Sequence, residues 1–280
     1  MKAPNLAYRR AASLEEALDL LAEHGDEAKL LAGGQSLVPA LNMRLLEPRL
    51  LIDINRIAGL GRVEEHAGGL RIGALVRQSA LEASPLVARL APLLHQAIPH
   101  VAHPAIRNRG TLGGSLAHAD PAAELPACVV ALGGTIELAG RGGRRRVAAR
   151  DFFRGLYETA LAPSEIVTAI ELPPPRPDAR SVFLELARRR GDYAIAGLAA
   201  EAGAEGVRLV FFGLDTKPVE AKATAAELTG DDLLRRLPRA EAALAAELDP
   251  PGDLQADAAV KRHLARVLLG RAVRALAEAA

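Results

Sequence analysis

A single cysteine, Cys128, supplies all the thiol chemistry of this 280-residue chain. No disulfide can form within the chain, and neither an iron–sulfur cluster nor a thiolate zinc site can be built from it alone. Its neighbours Pro126-Ala127 and Val129-Val130 are apolar, which favours an inert buried thiol over a nucleophile. No segment approaches the ~20 uninterrupted apolar residues of a membrane span, and residues 1–10 lack the apolar stretch of a secretory signal. The expectation is a soluble cytoplasmic protein. There is no G-x-x-x-x-G-K-[ST], and the lysine nearest to any Gly-Gly loop discussed below is Lys29, which excludes a P-loop. Gly59-Leu60-Gly61 lacks the third glycine and the following helix of a Rossmann fingerprint. Neither a G-x-S-x-G elbow nor an H-E-x-x-H zinc helix is present. The formal charge of +1 leaves no footprint for nucleic acid. The short arginine runs Arg141 to Arg146 and Arg188 to Arg190 read as a hairpin tip and a solvated or anion-facing edge.

Half of the residues are hydrophobic and a quarter are charged, the composition of a folded globular protein with room for two domains. Its most informative features are two glycine-rich loops about eighty residues apart, Leu30-Leu31-Ala32-Gly33-Gly34-Gln35-Ser36-Leu37 and Gly110-Thr111-Leu112-Gly113-Gly114-Ser115. Adjacent glycines remove Cβ atoms and permit positive φ, so successive backbone N–H groups can converge on one anion. Two such loops, each carrying a serine, suggest a cradle for both ends of a nucleotide diphosphate. His100, His103, His118 and Asp120 are metal-ligating types, but loop histidines are ordinarily solvent-facing or hydrogen-bonded, and no metal is assigned.

Ser13-Leu14-Glu15-Glu16 has the pattern of a capping box, followed by Leu14, Ala17, Leu18, Leu21 and Ala22 on one helical face. Ala28 to Leu31 reads as a buried strand entering the first glycine loop, and Leu37 to Leu45 as a helix or turn leaving it. Further strands are expected at Leu50 to Ile54 and Leu70 to Leu75, then a helix from Ser79 to Leu90 stopped near Pro92. Residues 98–114, rich in Pro, Gly, Asn and His, read as an extended loop. A hairpin joins Thr135 to Leu138 with Arg145 to Ala148, and Glu165 to Leu172 continues the sheet. Pro173-Pro174-Pro175-Arg176-Pro177 fits neither helix nor central strand and marks a domain boundary. Strand-like runs follow at Ser181 to Ala187, Ala194 to Ala202 and Val207 to Leu214, and helical patterns from Thr224 onward. The last helix, Asp257 to Ala279, carries Val260, Leu264, Val267, Leu268 and Leu276 on one face.

Four stretches taken together resemble a known family: residues 32–39, Leu51-Ile52-Asp53-Ile54-Asn55, residues 111–121 and Gly191-Asp192-Tyr193-Ala194. They are similar to the FAD-binding medium subunit of the molybdenum hydroxylases, the group of carbon monoxide dehydrogenase and xanthine dehydrogenase. The resemblance spans nearly the whole chain. It implies an α+β fold, with a two-part FAD-binding domain of the vanillyl-alcohol-oxidase (PCMH) type over residues 1–175, subdivided near 57. A small C-terminal α+β domain with an antiparallel sheet and helices would cover residues 178–280.

The resemblance also implies roles. Leu30, Leu31, Ala32, Gly33, Gly34, Gln35, Ser36 and Leu37 would wrap the FAD diphosphate, with Gly110, Thr111, Gly113, Gly114 and Ser115 opposite. Val101, Ala102 and Ile106 would lie along the cofactor, and Glu124 would accept hydrogen bonds from its hydroxyls. Ile166 and Val167 would make apolar contacts, and Tyr193 would sit near the isoalloxazine. Gln35 stands where the family often has His, and Ser115 where it often has Asp or Asn; both keep donor and acceptor capacity. No acid–base dyad or nucleophile in the chain makes a substrate-oxidising site. The resemblance implies an oxidoreductase subunit, one that passes electrons from [2Fe–2S] clusters to a terminal acceptor. The clusters and a molybdopterin cofactor would reside on an iron–sulfur small subunit and a molybdopterin large subunit, in a dimer of heterotrimers. A stand-alone FAD-dependent oxidase or reductase of the same fold, or a non-catalytic nucleotide-binding module, are the alternatives.

Overall fold

Among the described residues, three main β-sheets and a two-stranded ribbon, Phe153–Gly155 with Glu158–Thr159, are joined by helices. A computed structural model describes residues 2–230 and 232–278. The first sheet is parallel: Leu50–Asp53 lies centrally, with Ala7–Arg10 on one side and Ala28–Leu31 on the other. The Leu14–His24 helix packs on it. Ser13 caps the helix as the sequence anticipates, Glu16 N donating to Ser13 Oγ at 3.1 Å, while the Glu16 carboxylate reaches one residue further back than in a capping box and accepts from Ala12 N at 2.7 Å. Ala17, Leu18 and Leu21 bury its apolar stripe.

The second sheet has five antiparallel strands in the order Val63–His66, Gly69–Gly73, Ile166–Leu172, Thr135–Gly140, Gly143–Ala148. The arginine run forms the outer strand of the expected hairpin, where its side chains neutralise carboxylates: Arg144 binds Glu137 at 2.7 Å, Arg145 binds Glu165 at 2.6 Å and Arg146 binds Glu171 at 3.0 Å. Glu137 also accepts from Arg71 and from Thr168, and these partners hold its carboxyl well down, at about 2, against the opposing effect of burial.

The third sheet is an antiparallel meander of Arg180–Leu186, Ala196–Gly203, Gly206–Phe212 and Val219–Glu220. The Lys222–Glu227 and Ala258–Glu278 helices pack on it, and the Leu233–Glu247 helix packs against those two. The fully buried Glu124–Ala131 helix packs against its strands and shares a core with Phe183, Val210 and Phe212. Cys128 lies inside that helix, and burial pushes its thiol well up, which keeps it unreactive.

Several expectations change. The helix anticipated over Ser79 to Leu90 is two short helices, Gln78–Glu82 and Pro85–Leu90, because Ser84 caps a new start. The Pro85–Leu90 helix stops just before Pro92 as expected, and Pro92 also begins a further helix, Pro92–Ala97; at a first position its missing N–H would be unpaired anyway. Residues 98–114 are not one extended loop but contain a turn at Ile98–His100, the Pro104–Arg107 helix and the start of the Leu112–His118 helix. On the last helix Val260 is 44% exposed, and the buried face runs through Lys261, Ala265, Leu268, Leu269, Ala272 and Leu276. Lys261 turns inward because its ammonium meets Gly213 O at 2.8 Å and Asp253 at 2.7 Å. Ala279, the anticipated end of that helix, lies outside the described residues.

Candidate functional site

The strand Ala28–Leu31 runs into the first glycine loop, and the bend before the Leu112–His118 helix carries the second. Between them opens a cavity of about 620 Å³, within the range of cofactor pockets. Its wall includes Leu30, residues 32–37, Val101, Ala102, Ile106, Gly110, Thr111, residues 113–115, Glu124, Ile166, Val167 and Tyr193. Leu31 alone of the anticipated set is not in the wall. Alternate residues of a strand face opposite sides; what Leu31 contributes is its carbonyl, which accepts from Ile54 N at 3.2 Å and from Asn55 Nδ2 at 3.1 Å.

Close approach, more than positive φ, explains the glycines. Among the five glycines of these loops that line the cavity, Gly34 alone has positive φ, at 75°. A Cβ on Gly33 would stand 2.5 Å from Arg109 O and 2.9 Å from Gly110 Cα, so the two loops touch backbone to backbone. A Cβ on Gly113 would meet Ala74 Cβ at 2.5 Å, and Gly113 N donates to Ala74 O at 2.9 Å, seating the second loop on the antiparallel sheet. Thr111 caps the helix by accepting from Gly114 N at 3.1 Å.

A third wall is built from the C-terminal part. Gly191, at φ 86°, sits where a Cβ would meet Ala102 O at 2.9 Å and His103 Cε1 at 2.8 Å. This seats Gly191-Asp192-Tyr193 on the turn at Val101–His103 and leaves the Tyr193 ring largely exposed at the cavity mouth. The turn is held by the buried Arg107. Its guanidinium grips Glu82 through two bonds of 2.8 and 3.1 Å and donates to Val101 O at 3.0 Å.

Glu124 is the electrostatic anomaly. It is buried at the start of its helix, and desolvation, helped by the nearby carboxylates of Glu185 and Asp120, pushes its pKa up to about 8. At neutral pH it is largely a neutral acid, able to donate as well as accept. His118 is held below its ordinary value by burial, partly offset by Asp120.

Sequence reasoning assigned no role to Gln78, whose N donates to Gly110 O at 2.9 Å and whose Oε1 is buried in the wall without a hydrogen-bond partner. Nothing in the run Val76-Arg77-Gln78 signals a site. An unpartnered buried acceptor, a carboxyl that is neutral at pH 7 and backbone loops stripped of Cβ atoms fit a hydroxyl-rich, diphosphate-bearing ligand such as FAD.

Comparison with known proteins agrees. Residues 4–175 match the FAD binding domain in molybdopterin dehydrogenase, and residues 181–276 match the CO dehydrogenase flavoprotein C-terminal domain. The chain is 39% identical over 279 residues to the nicotine 6-hydroxylase medium subunit of Paenarthrobacter nicotinovorans, covering 98% of each. Among solved structures it is similar to carbon monoxide dehydrogenase from Hydrogenophaga pseudoflava lacking the Mo-pyranopterin moiety of the molybdenum cofactor. The TM-score is 0.96 at 35% identity, covering 100% of this chain and 99% of the other. Quinoline 2-oxidoreductase from Pseudomonas putida 86 gives 0.92 at 34% identity, covering 99% of each chain. The chain therefore belongs to the family of FAD-binding medium subunits of the molybdenum hydroxylases, oxidoreductases of which carbon monoxide dehydrogenase is a member.

Proposed function

We propose that this chain is the FAD-carrying electron-transfer component of a cytoplasmic three-part enzyme. Its partners are an iron–sulfur small subunit with [2Fe–2S] clusters and a molybdopterin large subunit, assembled as a dimer of heterotrimers. The observation that carries the reading is the single cavity wall contributed by both glycine loops and by Tyr193 from the far side of the proline-rich boundary. Bound FAD exchanges electrons singly or in pairs, which suits a link between one-electron and two-electron partners.

The chain's own residues bind and orient. Residues 30–37 wrap the diphosphate and offer it backbone and hydroxyl donors; from the second loop Thr111 and Ser115 offer hydroxyls, while Gly110, Gly113 and Gly114, whose N–H groups are bonded within the protein, allow close approach. Val101, Ala102, Ile106, Ile166 and Val167 give apolar walls, Glu124 meets cofactor hydroxyls, and Tyr193 lies against the isoalloxazine. The proline run Pro173 to Pro177 and the separate parallel and antiparallel sheets support a division into residues 1–175 and 178–280, with a subdivision near 57. One cysteine, buried and unreactive, leaves the clusters to a partner.

The purified chain alone is expected to oxidise none of the complex's organic substrates. Adding a [2Fe–2S] protein and a molybdopterin subunit of the same enzyme should restore turnover. Substrate oxidation by the chain alone at about 1 s⁻¹ or faster would instead establish a stand-alone oxidase.

A further inference from the structure

Among the described residues, side chains outside the cavity wall join the two glycine loops. Asn55 follows the central parallel strand and is fixed by Asp53, whose Oδ1 accepts from Asn55 N at 2.9 Å and from Asn55 Nδ2 at 2.7 Å. The same Nδ2 faces the first loop, 2.8 Å from Ala32 O and 3.1 Å from Leu31 O. Asn55 Oδ1 accepts from Arg77 Nη2 at 2.6 Å, and Arg77 Nη1 donates to Arg109 O, the carbonyl against which Gly33 packs. Arg77 itself forms a β-bridge with Thr111. Asp53, Asn55 and Arg77 thus form a chain of hydrogen bonds from one loop to the other, and neither Asn55 nor Arg77 lines the cavity.

We propose that Asn55 and Arg77 are positioning residues that brace the two glycine loops together, setting the spacing of the diphosphate cradle before the cofactor arrives. The inference rests on the FAD reading of the cavity and adds residues to which that reading gives no role. The physical reason is entropic. Loops already held in the binding geometry lose little freedom when the ligand binds, whereas unbraced loops must be ordered at the expense of affinity. Arginine suits the joint because its planar fork reaches two acceptors at fixed angles, which a lysine ammonium on a flexible stem does not reproduce.

The test uses the full chain stripped of FAD. Flavin fluorescence titration should show affinity falling about ten- to a hundredfold for Asn55→Ala and for Arg77→Ala, each equivalent to the loss of one or two hydrogen bonds. The double variant should bind about as weakly as the weaker single, because each change breaks the same brace. Arg77→Lys should rescue little. Hydrogen exchange without cofactor should quicken at the amides of residues 32–35 and 109–111 in both variants, while the apo melting temperature moves by only a few degrees. Wild-type affinity in either single variant, or additive losses in the double, would overturn the brace. If Arg77→Ala does not fold, Asn55→Ser carries the same comparison. The exchange measurement needs no FAD, so a wild-type chain that binds none would sink the cofactor reading while the brace is still judged by its amides.

Discussion

Gly33→Val is expected to abolish retention of FAD while leaving most of the fold in place. The new Cβ would sit 2.5 Å from Arg109 O and 2.9 Å from Gly110 Cα, both backbone atoms with no rotamer to yield. Relief requires the two loops to separate, and overpacking of this kind costs about 1–3 kcal/mol before the lost ligand contacts are counted. Affinity should therefore fall by about a hundredfold or more. Gly114→Ala is the informative contrast, since its Cβ meets Thr111 Oγ1 at 2.7 Å and Ala32 Cβ only at 3.9 Å, and a side-chain oxygen can yield by a χ1 turn that gives up its bond from Gly114 N, where backbone cannot. It should bind FAD more weakly than wild type and far more tightly than Gly33→Val. Circular dichroism with FAD titration decides the matter. A well-folded Gly33→Val chain with full FAD occupancy would show the loop contact to be incidental.

The second large effect is on stability as a function of pH. Glu124 titrates near its ordinary 4.5 in the unfolded chain and at about 8 in the folded one. A raised carboxyl pKa means that the folded state keeps a proton which the unfolded state releases. The contribution is fully favourable below pH 4.5 and is lost as pH rises, by up to about 1.4 kcal/mol per unit, until it levels off near 8. Summed over that window the loss is a few kcal/mol. His118, with its lowered pKa, acts in the opposite sense: its contribution is present above the ordinary histidine value and lost as pH falls. Comparison with Glu124→Gln separates the two. Urea unfolding of the apo chain should show stability falling between pH 6.5 and 8 in wild type and a flatter profile in Glu124→Gln. Parallel profiles would place the carboxyl in contact with water or a cationic partner.

Much of the frame was legible because local chemistry and tertiary structure agree. Ser13 and Glu16 define a helix start, Ala28 to Leu31 is a short, mostly apolar strand before glycines, and Gly140 to Gly143 joins two strands as a tight turn. The misses have particular causes. Ala7–Arg10 is an edge strand with all four residues exposed, so it has no alternation to detect and exists only through pairing with Leu50–Asp53. The Pro92–Ala97 helix was missed because a proline that ends one helix can also start the next. Lys261 breaks the apolar pattern of the last helix because its partners, Gly213 and Asp253, come from other segments.

For the cavity, nearly every residue that glycine spacing and the family motifs singled out lies in the wall, but much of the wall, such as Asp26, Ala74, Gln78, Thr159 and the segment Leu161 to Pro163, was not anticipated. The reason for the glycines was only partly legible. Backbone contact between residues 33 and 109 cannot be read from two loops far apart in sequence, nor can the Asn55–Arg77 joint between them. Asp53-Ile54-Asn55 did carry a signal, an Asx-type turn at the end of a strand, whose partners only the fold supplies.

Cofactor extraction from the purified 280-residue chain tests the FAD-binding role most directly. After incubation with excess FAD and removal of the unbound fraction, cold acid should release about one FAD per chain into the supernatant. Release fits non-covalent binding in a cradle that relies on backbone and hydroxyl donors. A chain that holds no flavin under these conditions, or one whose flavin stays with the denatured polypeptide, would contradict it.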